Sequence, residues 1–518
     1  MEIRVQGINI LEGVDFVRKL LISEFDVHED FAYKIANDEI KKHLEQLDDG
    51  CYLVFERPYV DKVYRNSYYH YYSSKLKKYN RDCIRISIFQ SGVTKEDLLL
   101  KDRIIELKDK YRGFIILRPT VPKIIGRSLI SPKALKINDI QVCSSKIESS
   151  VRGIKMSVKG FPHSSQDSET ITCAETTLWA VMEYFSSKYP EYKPIFPSEI
   201  VETLKRVSNE RQWPSKGLYI EHISYALKEF GFGSKVYSKL KFKDDFPRLL
   251  SCYVESGIPI IVTLSNRSTK GTIGHAVLCI GHKEVSNEII ENLPRNFNLR
   301  KDVNELIQSK GISFYDWDDA EKEFVFMDDN CAPYKLAKLN KPCIHYNSKE
   351  WQECEIEYFI VPLYPKIYLE AYEAKNLAIN ILLSGSFSKL NKSEVLIRFY
   401  LTSSRSFKDK VTLNEGFESI YIEIDGNKIG VKNIIINTPM PKFIWVAELT
   451  TRELAKERKV NGLIILDATE ADVRYGKPLI LGMIGGKYLK PKKYIDKLPD
   501  IDLISQPFIM YENNLQKL

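Results

Sequence analysis

The chain has 518 residues, more than one ordinary hydrophobic core accommodates, so several domains are expected. An apolar fraction of 44% and a charged fraction of 28% exclude a largely disordered chain. Its 76 Lys and Arg against 69 Asp and Glu leave a net charge of +7, spread too thinly to imply a nucleic-acid partner.

Residues 1–150 alternate helical patterns, such as FAYKIANDEIKKHLEQL, with short β-rich runs (CYLVFE, CIRISIF, GFIILRP), which predicts an α+β domain. The opening segment carries charges among its apolar positions, unlike a signal peptide. No run anywhere reaches the roughly 20 apolar residues that span a bilayer, so a soluble, cytoplasmic protein with no membrane partner is expected. Tyr64 to Tyr79 is dense in tyrosine and lysine; amphipathic packing is the favoured reading over a partner-binding surface.

From 151 to 365 the pattern changes. A strand-like VRGIKMSVKGF leads through a polar loop into CAETTLWAVMEYFSSKY, whose Ala174, Leu178, Val181, Met182 and Phe185 share one helical face. Further helices follow (PSEIVETLKRV, GLYIEHISYALKEFGF, FPRLLSCYVESG), then strands (IPIIVTL, HAVLCIGHKE, EFVFMDD). Helices followed by an antiparallel sheet make a second α+β region. A charged stretch at about 284–322 reads as an insertion between two of its strands. Residues 366–390 form a linking helix, and 391–518 read as a β-rich domain with Gly and Asp-Gly turns.

The nine cysteines are odd in number and scattered, which favours reduced thiols over a disulfide framework. A thiol attacks as thiolate, and a helix N-terminus beside an imidazolium lowers its pKa. Cys173 opens a helix after a polar loop. His275, preceded by Gly274 and followed by an alternating strand, is placed as its base at a strand start. The neighbouring strand ends in Asp328, Asp329 and Asn330, any of which can orient the imidazole. Gln166, upstream of Cys173, is placed to donate an N–H to an oxyanion beside the Cys173 backbone N–H.

On Gln166, Cys173 with its apolar helix, GLYIEHISYALKEFGF, GIPIIVTL, GHAVLCIGH and VFMDDN, the span from about 166 to 334 resembles the papain-like cysteine peptidases. It is most similar to their bacteriocin-processing, double-glycine type. The resemblance implies a helical half against an antiparallel sheet, with a catalytic cleft between them. It also implies thioester-mediated amide cleavage of a protein or peptide by Cys173, His275 and Asp329, with Gln166 in the oxyanion hole and no cofactor or metal. Asp329 is chosen over Asp328 because strand alternation lets only one face His275, and because the family ends this strand with a polar residue, the aspartate and then a proline, places filled here by Asp328, Asp329 and Asn330, with Asn330 the reserve candidate. The sequence departs from the family pattern in the Gln166–Cys173 spacing, in Ala174 where a glycine is usual, and in the long gap from His275 to Asp329.

The expectation is therefore a cytoplasmic, bacterial cysteine peptidase whose chemistry lies within 151–365 and whose flanks choose partners. Its rivals are deamidase, transglutaminase or isopeptidase chemistry, and a protein-binding module that kept the fold. Cys331, Cys343, His345 and Cys354 are soft metal ligands in a short span, but lack the close cysteine pairs of structural zinc sites. His282, seven residues beyond His275 on the same strand, reads as a half-exposed residue outside the cleft.

Overall fold

The structure is a computed structural model that describes residues 4–517 apart from 95, 168, 171, 208–217, 269–270, 296–300, 384–392, 425, 485, 490–500, 505 and 513–514. Helices and strands are mixed throughout, and three large sheets organise them.

The first sheet is antiparallel and seven-stranded, in the order Arg4–Asn9, Tyr52–Tyr59, Cys83–Phe89, Tyr111–Leu117, Ile125–Ile130, Ile154–His163, Ser145–Val151. All seven residues of the β-branched run Cys83–Phe89 are buried. That is tolerable for Arg85 only because its guanidinium donates to Ser150 O at 2.5 Å and Tyr111 Oη at 2.9 Å. The last hairpin turns at Arg152 and Gly153, both with positive φ, a mirror-image turn that matches strand twist. The N-terminal sheet therefore runs past residue 150, and VRGIKMSVKGF belongs to it.

The central sheet runs Lys335–Ala337, Phe324–Met327, Gly271–Lys283, Ile260–Ser268, Glu355–Leu363, Gly233–Ser238. Ile140–Val142 joins it along Gly281–Lys283, and Gln516–Lys517 pairs outside that. Gly281 is required there, since a Cβ would lie 2.0 Å from Gln141 O.

The third sheet has nine strands, and its first, Ser313–Asp316, comes from the insertion and pairs parallel with Glu394–Ser403. The C-terminal part also contains the helices Ser404–Leu413, Val431–Asn437 and Arg452–Lys456, so it is mixed rather than β alone.

The three parts are not separate bodies. One apolar core joins the N-terminal sheet to the central one, and another joins the central sheet to the third. The linking helix Ala371–Leu383 is inside the second core. Its Ala371, Ala374 and Ala378, at helical spacing, let it approach both sheets closely. No helix among the described residues is long and apolar enough to cross a membrane.

Candidate functional site

Cys173 is the first residue of the helix Cys173–Lys188. Thr172 precedes it, and the buried Glu175 carboxylate accepts from the Thr172 N–H at 3.1 Å and from its hydroxyl, which fixes where the helix begins. The Thr-x-x-Glu spacing is the sequence signal for that start. The helix is buried on all sides from Ala174 to Phe185, rather than on one face, because it lies between the N-terminal and central sheets. Cys173 and Cys331 are half-buried, while the other seven thiols are buried.

His275 lies inside the strand Gly271–Lys283, opposite Leu264, rather than at its start. Gly274 is exposed, and a Cβ there would meet nothing, so it is not needed for room beside the histidine. Helix and strand are pinned together at this level: Thr177 Oγ1 lies 2.6 Å from Cys173 O and 3.3 Å from Ala276 O. The Cys173 thiol lies near enough to His275 to help raise the imidazole pKa.

The partner expected of Asp329 is Asp328 instead. His275 Nε2 lies 2.9 Å from Asp328 Oδ1 and 3.6 Å from Asp329 Oδ1. The alternation argument fails because the strand ends at Met327. Asp328 Oδ1 accepts from Asn330 N at 3.0 Å and Asp328 O from Cys331 N at 3.1 Å, a tight turn that brings both aspartates to the imidazole. With Nε2 spent on Asp328, Nδ1 is the ring nitrogen left for other chemistry. Asp328 Oδ2 accepts from Tyr346 Oη at 2.7 Å and lies 3.3 Å from His345 Nε2. Trp351 stacks on Tyr346 and stands edge-on to His275, with centroids 5.3 Å apart, shielding the pair from water. His345, Tyr346 and Trp351 were missed as site residues by sequence reasoning. The run CIHYNSKEW offered His345 only as a metal ligand.

These contacts set the charges. Burial pulls the His275 pKa down, but the charge and hydrogen bond of Asp328, the Cys173 thiol and the Asp329 charge outweigh it and hold the imidazole well above its usual value. Burial likewise opposes ionisation of Asp328, and His275, His345 and the Asn330 N–H overcome it, holding this carboxyl far below the ordinary range. Asp329 has weaker help: the charge of His275, 3.6 Å away, favours its ionisation but does not overcome burial. Neither of its buried oxygens meets a donor from another residue among those described, and burial, with the nearby Asp328 charge, pushes it up to about 7.

Gln166 Nε2 donates to Asn330 Oδ1 at 2.8 Å, which ties the loop before Cys173 to the turn after Asp328 and leaves its second amide hydrogen uncommitted in that bond. The loop also rests on the N-terminal region. Arg118 donates to Ser165 O at 2.6 Å, Tyr79 Oη to Glu169 at 3.2 Å, and Tyr72 meets Asp167 and Thr170. The tyrosine-rich segment is thus largely packing, with Tyr64, Tyr71 and Tyr72 buried, and it supports the site across the boundary at 150.

The soft ligands do not gather as a set of four. Cys331 and His345 come together with Asp328, whereas Cys343 and Cys354 pair with each other. The ligand atoms of Asp328, Cys331 and His345, and those of His275, Asp328 and Asp329, lie within 4.8 Å of one another. Asp328 is common to both groups, and its oxygens are already taken by His275, Asn330, His345 and Tyr346. His282 is 2% exposed, not half-exposed, and bonds Glu255 Oε2 at 2.9 Å, away from the cleft. No protein-family model matches the chain, and no curated protein does.

Proposed function

We propose that the protein is a cysteine-dependent amide hydrolase of papain-like arrangement, with Cys173 as nucleophile, His275 as base and acid, and Asp328 as the orienting carboxylate. The observation that carries this reading is the contact of a helix-opening thiol with an imidazole whose Nε2 is held by a buried carboxylate at 2.9 Å. The raised His275 pKa disposes the imidazole to accept a proton during the reaction.

In the reaction, the Cys173 thiolate attacks the amide carbon and the carbonyl oxygen becomes an oxyanion. The Cys173 N–H, which has no intrahelical carbonyl because it opens the helix, and the free Gln166 amide hydrogen are the donors nearest in role to an oxyanion hole. His275 passes its proton to the leaving amine, and a thioester remains. The imidazole then takes a proton from water, the resulting hydroxide releases the acid, and the thiolate is restored. An amine in place of water would make the same site a transglutaminase, and a glutamine side chain as donor would make it a deamidase.

A thiol-directed electrophile with a peptide-like acyl group tests the reading on the intact chain. Labelling confined to Cys173, and absent from His275→Ala, supports it. Uniform slow labelling of several cysteines assigns the fold to binding instead.

A further inference from the structure

A cavity of about 800 Å³ lies where the three sheets meet, within the size range of small-molecule sites. It is remote from the proposed catalytic centre, but lined by the far ends of the elements that build it. Lys188 ends the helix that Cys173 begins, about 22 Å away at 1.5 Å per residue. His282 lies seven residues beyond His275 on its strand, roughly 23 Å along it.

The lining is strongly cationic. It holds seven Lys and Arg against three carboxylates, a surplus of four. The whole chain carries only +7, so over half of that imbalance faces one cavity. Each carboxylate is already neutralised within the wall: Glu255 by Arg398 at 2.7 Å, Glu284 by Arg458 and Lys517 at 2.7 Å each, and Glu512 by Lys410 at 3.2 Å. Among the described residues, Lys133, Lys159 and Lys188 have no carboxylate partner, and Lys188 donates to Tyr184 Oη at 3.0 Å. They come from three separate elements, Pro132–Ala134, Ile154–His163 and Cys173–Lys188. Lys188 is pulled below the ordinary lysine pKa first by burial and also by the charge of Lys159, and both line this cavity. Like charges held together at a cavity wall are stabilised by an anion between them.

We propose that this cavity binds a small phosphorylated molecule carrying two or more negative charges, held by Lys133, Lys159 and Lys188. Ammonium groups serve such a ligand as point charges, and the volume suits a molecule of nucleotide size. The proposal does not depend on the catalytic reading, because none of the three lysines touches the Cys173–His275 pair.

Isothermal titration calorimetry on the full chain, at constant ionic strength, with sodium pyrophosphate, ADP and adenosine tests it. Saturable one-site binding of pyrophosphate or ADP, with none for adenosine, is expected. A tighter ADP complex assigns an organic phosphate, and a tighter pyrophosphate complex an inorganic one. Losing one charge-assisted contact in Lys159→Ala, at an exposed position, or in Lys188→Met, which keeps the buried stem, should weaken binding by about tenfold each. Cys173→Ser should bind as the wild type does. The proposal is overturned if neither anion binds saturably, if adenosine binds as well as ADP, if both lysine variants bind unchanged, or if Cys173→Ser abolishes binding.

Discussion

His275 and His282 share one strand, are both buried, and each place Nε2 at 2.9 Å from a carboxylate, Asp328 for the first and Glu255 for the second. What separates them is the other nitrogen. His282 Nδ1 is spent on the Lys283 carbonyl at 2.7 Å, and Glu255 is surrounded by Arg398 and Lys322, with Arg398 going on to Glu448. Both ring nitrogens of His282 are thus committed. His275 keeps Nδ1 for chemistry, with the Cys173 thiol near the ring. A buried histidine–carboxylate pair is therefore not in itself a sign of chemistry; the free nitrogen and the nucleophile beside it are.

The comparison is broken most severely by removing its reactive members. Cys173→Ala and His275→Ala should each abolish acyl-probe turnover, by up to about 10⁶-fold as for other triads, in protein that still melts cooperatively. Equal activity in either variant ends the assignment. Asp328→Ala should slow Cys173 labelling by on the order of 10 to 10⁴-fold, and Asp329→Asn much less, measured by mass spectrometry of the labelled peptide. The reverse ranking would return the orienting role to Asp329.

At the second histidine, the effect should fall on stability. His282→Ala removes one hydrogen bond from the buried Glu255, which keeps Arg398, and should cost about 1–3 kcal/mol in urea unfolding, with Cys173 labelling unchanged well below the transition. Loss of labelling without loss of stability would join the two sites functionally.

The smallest effect is a pH dependence. Asp329 has its folded pKa raised to about 7, so between the unfolded carboxyl value near 4 and 7 the native state binds the extra proton. Its contribution to stability is present below that window and lost as pH rises through it. Asp328, held low, acts in the opposite sense and only in acid. Wild type should therefore lose stability relative to Asp329→Asn as pH goes from 5 to 8, and parallel unfolding curves would show that Asp329 is ionised throughout.

Much of this was legible residue by residue. Cys83–Phe89 was readable as a strand because its run is β-branched and apolar, and Cys173 as a helix start because a polar loop meets an apolar period. Asp328 was not, because strand alternation holds only while the chain stays extended, and the turn begins directly after Met327. The burial of His282 depends on Arg398 and Glu448, more than a hundred residues away, and the support of the Gln166 loop on Arg118 and Tyr72. Local pattern carries no record of such pairings.

The parallel pairing of Ser313–Asp316 with Glu394–Ser403 bears on how the chain is made. The insertion strand leaves the ribosome before any other strand of the third sheet and waits for its partner with its backbone donors and acceptors bare. Such an edge is a template for other chains. A product stopping short of residue 394 would keep that edge permanently, and it should be recovered mainly as aggregate rather than as a smaller folded protein.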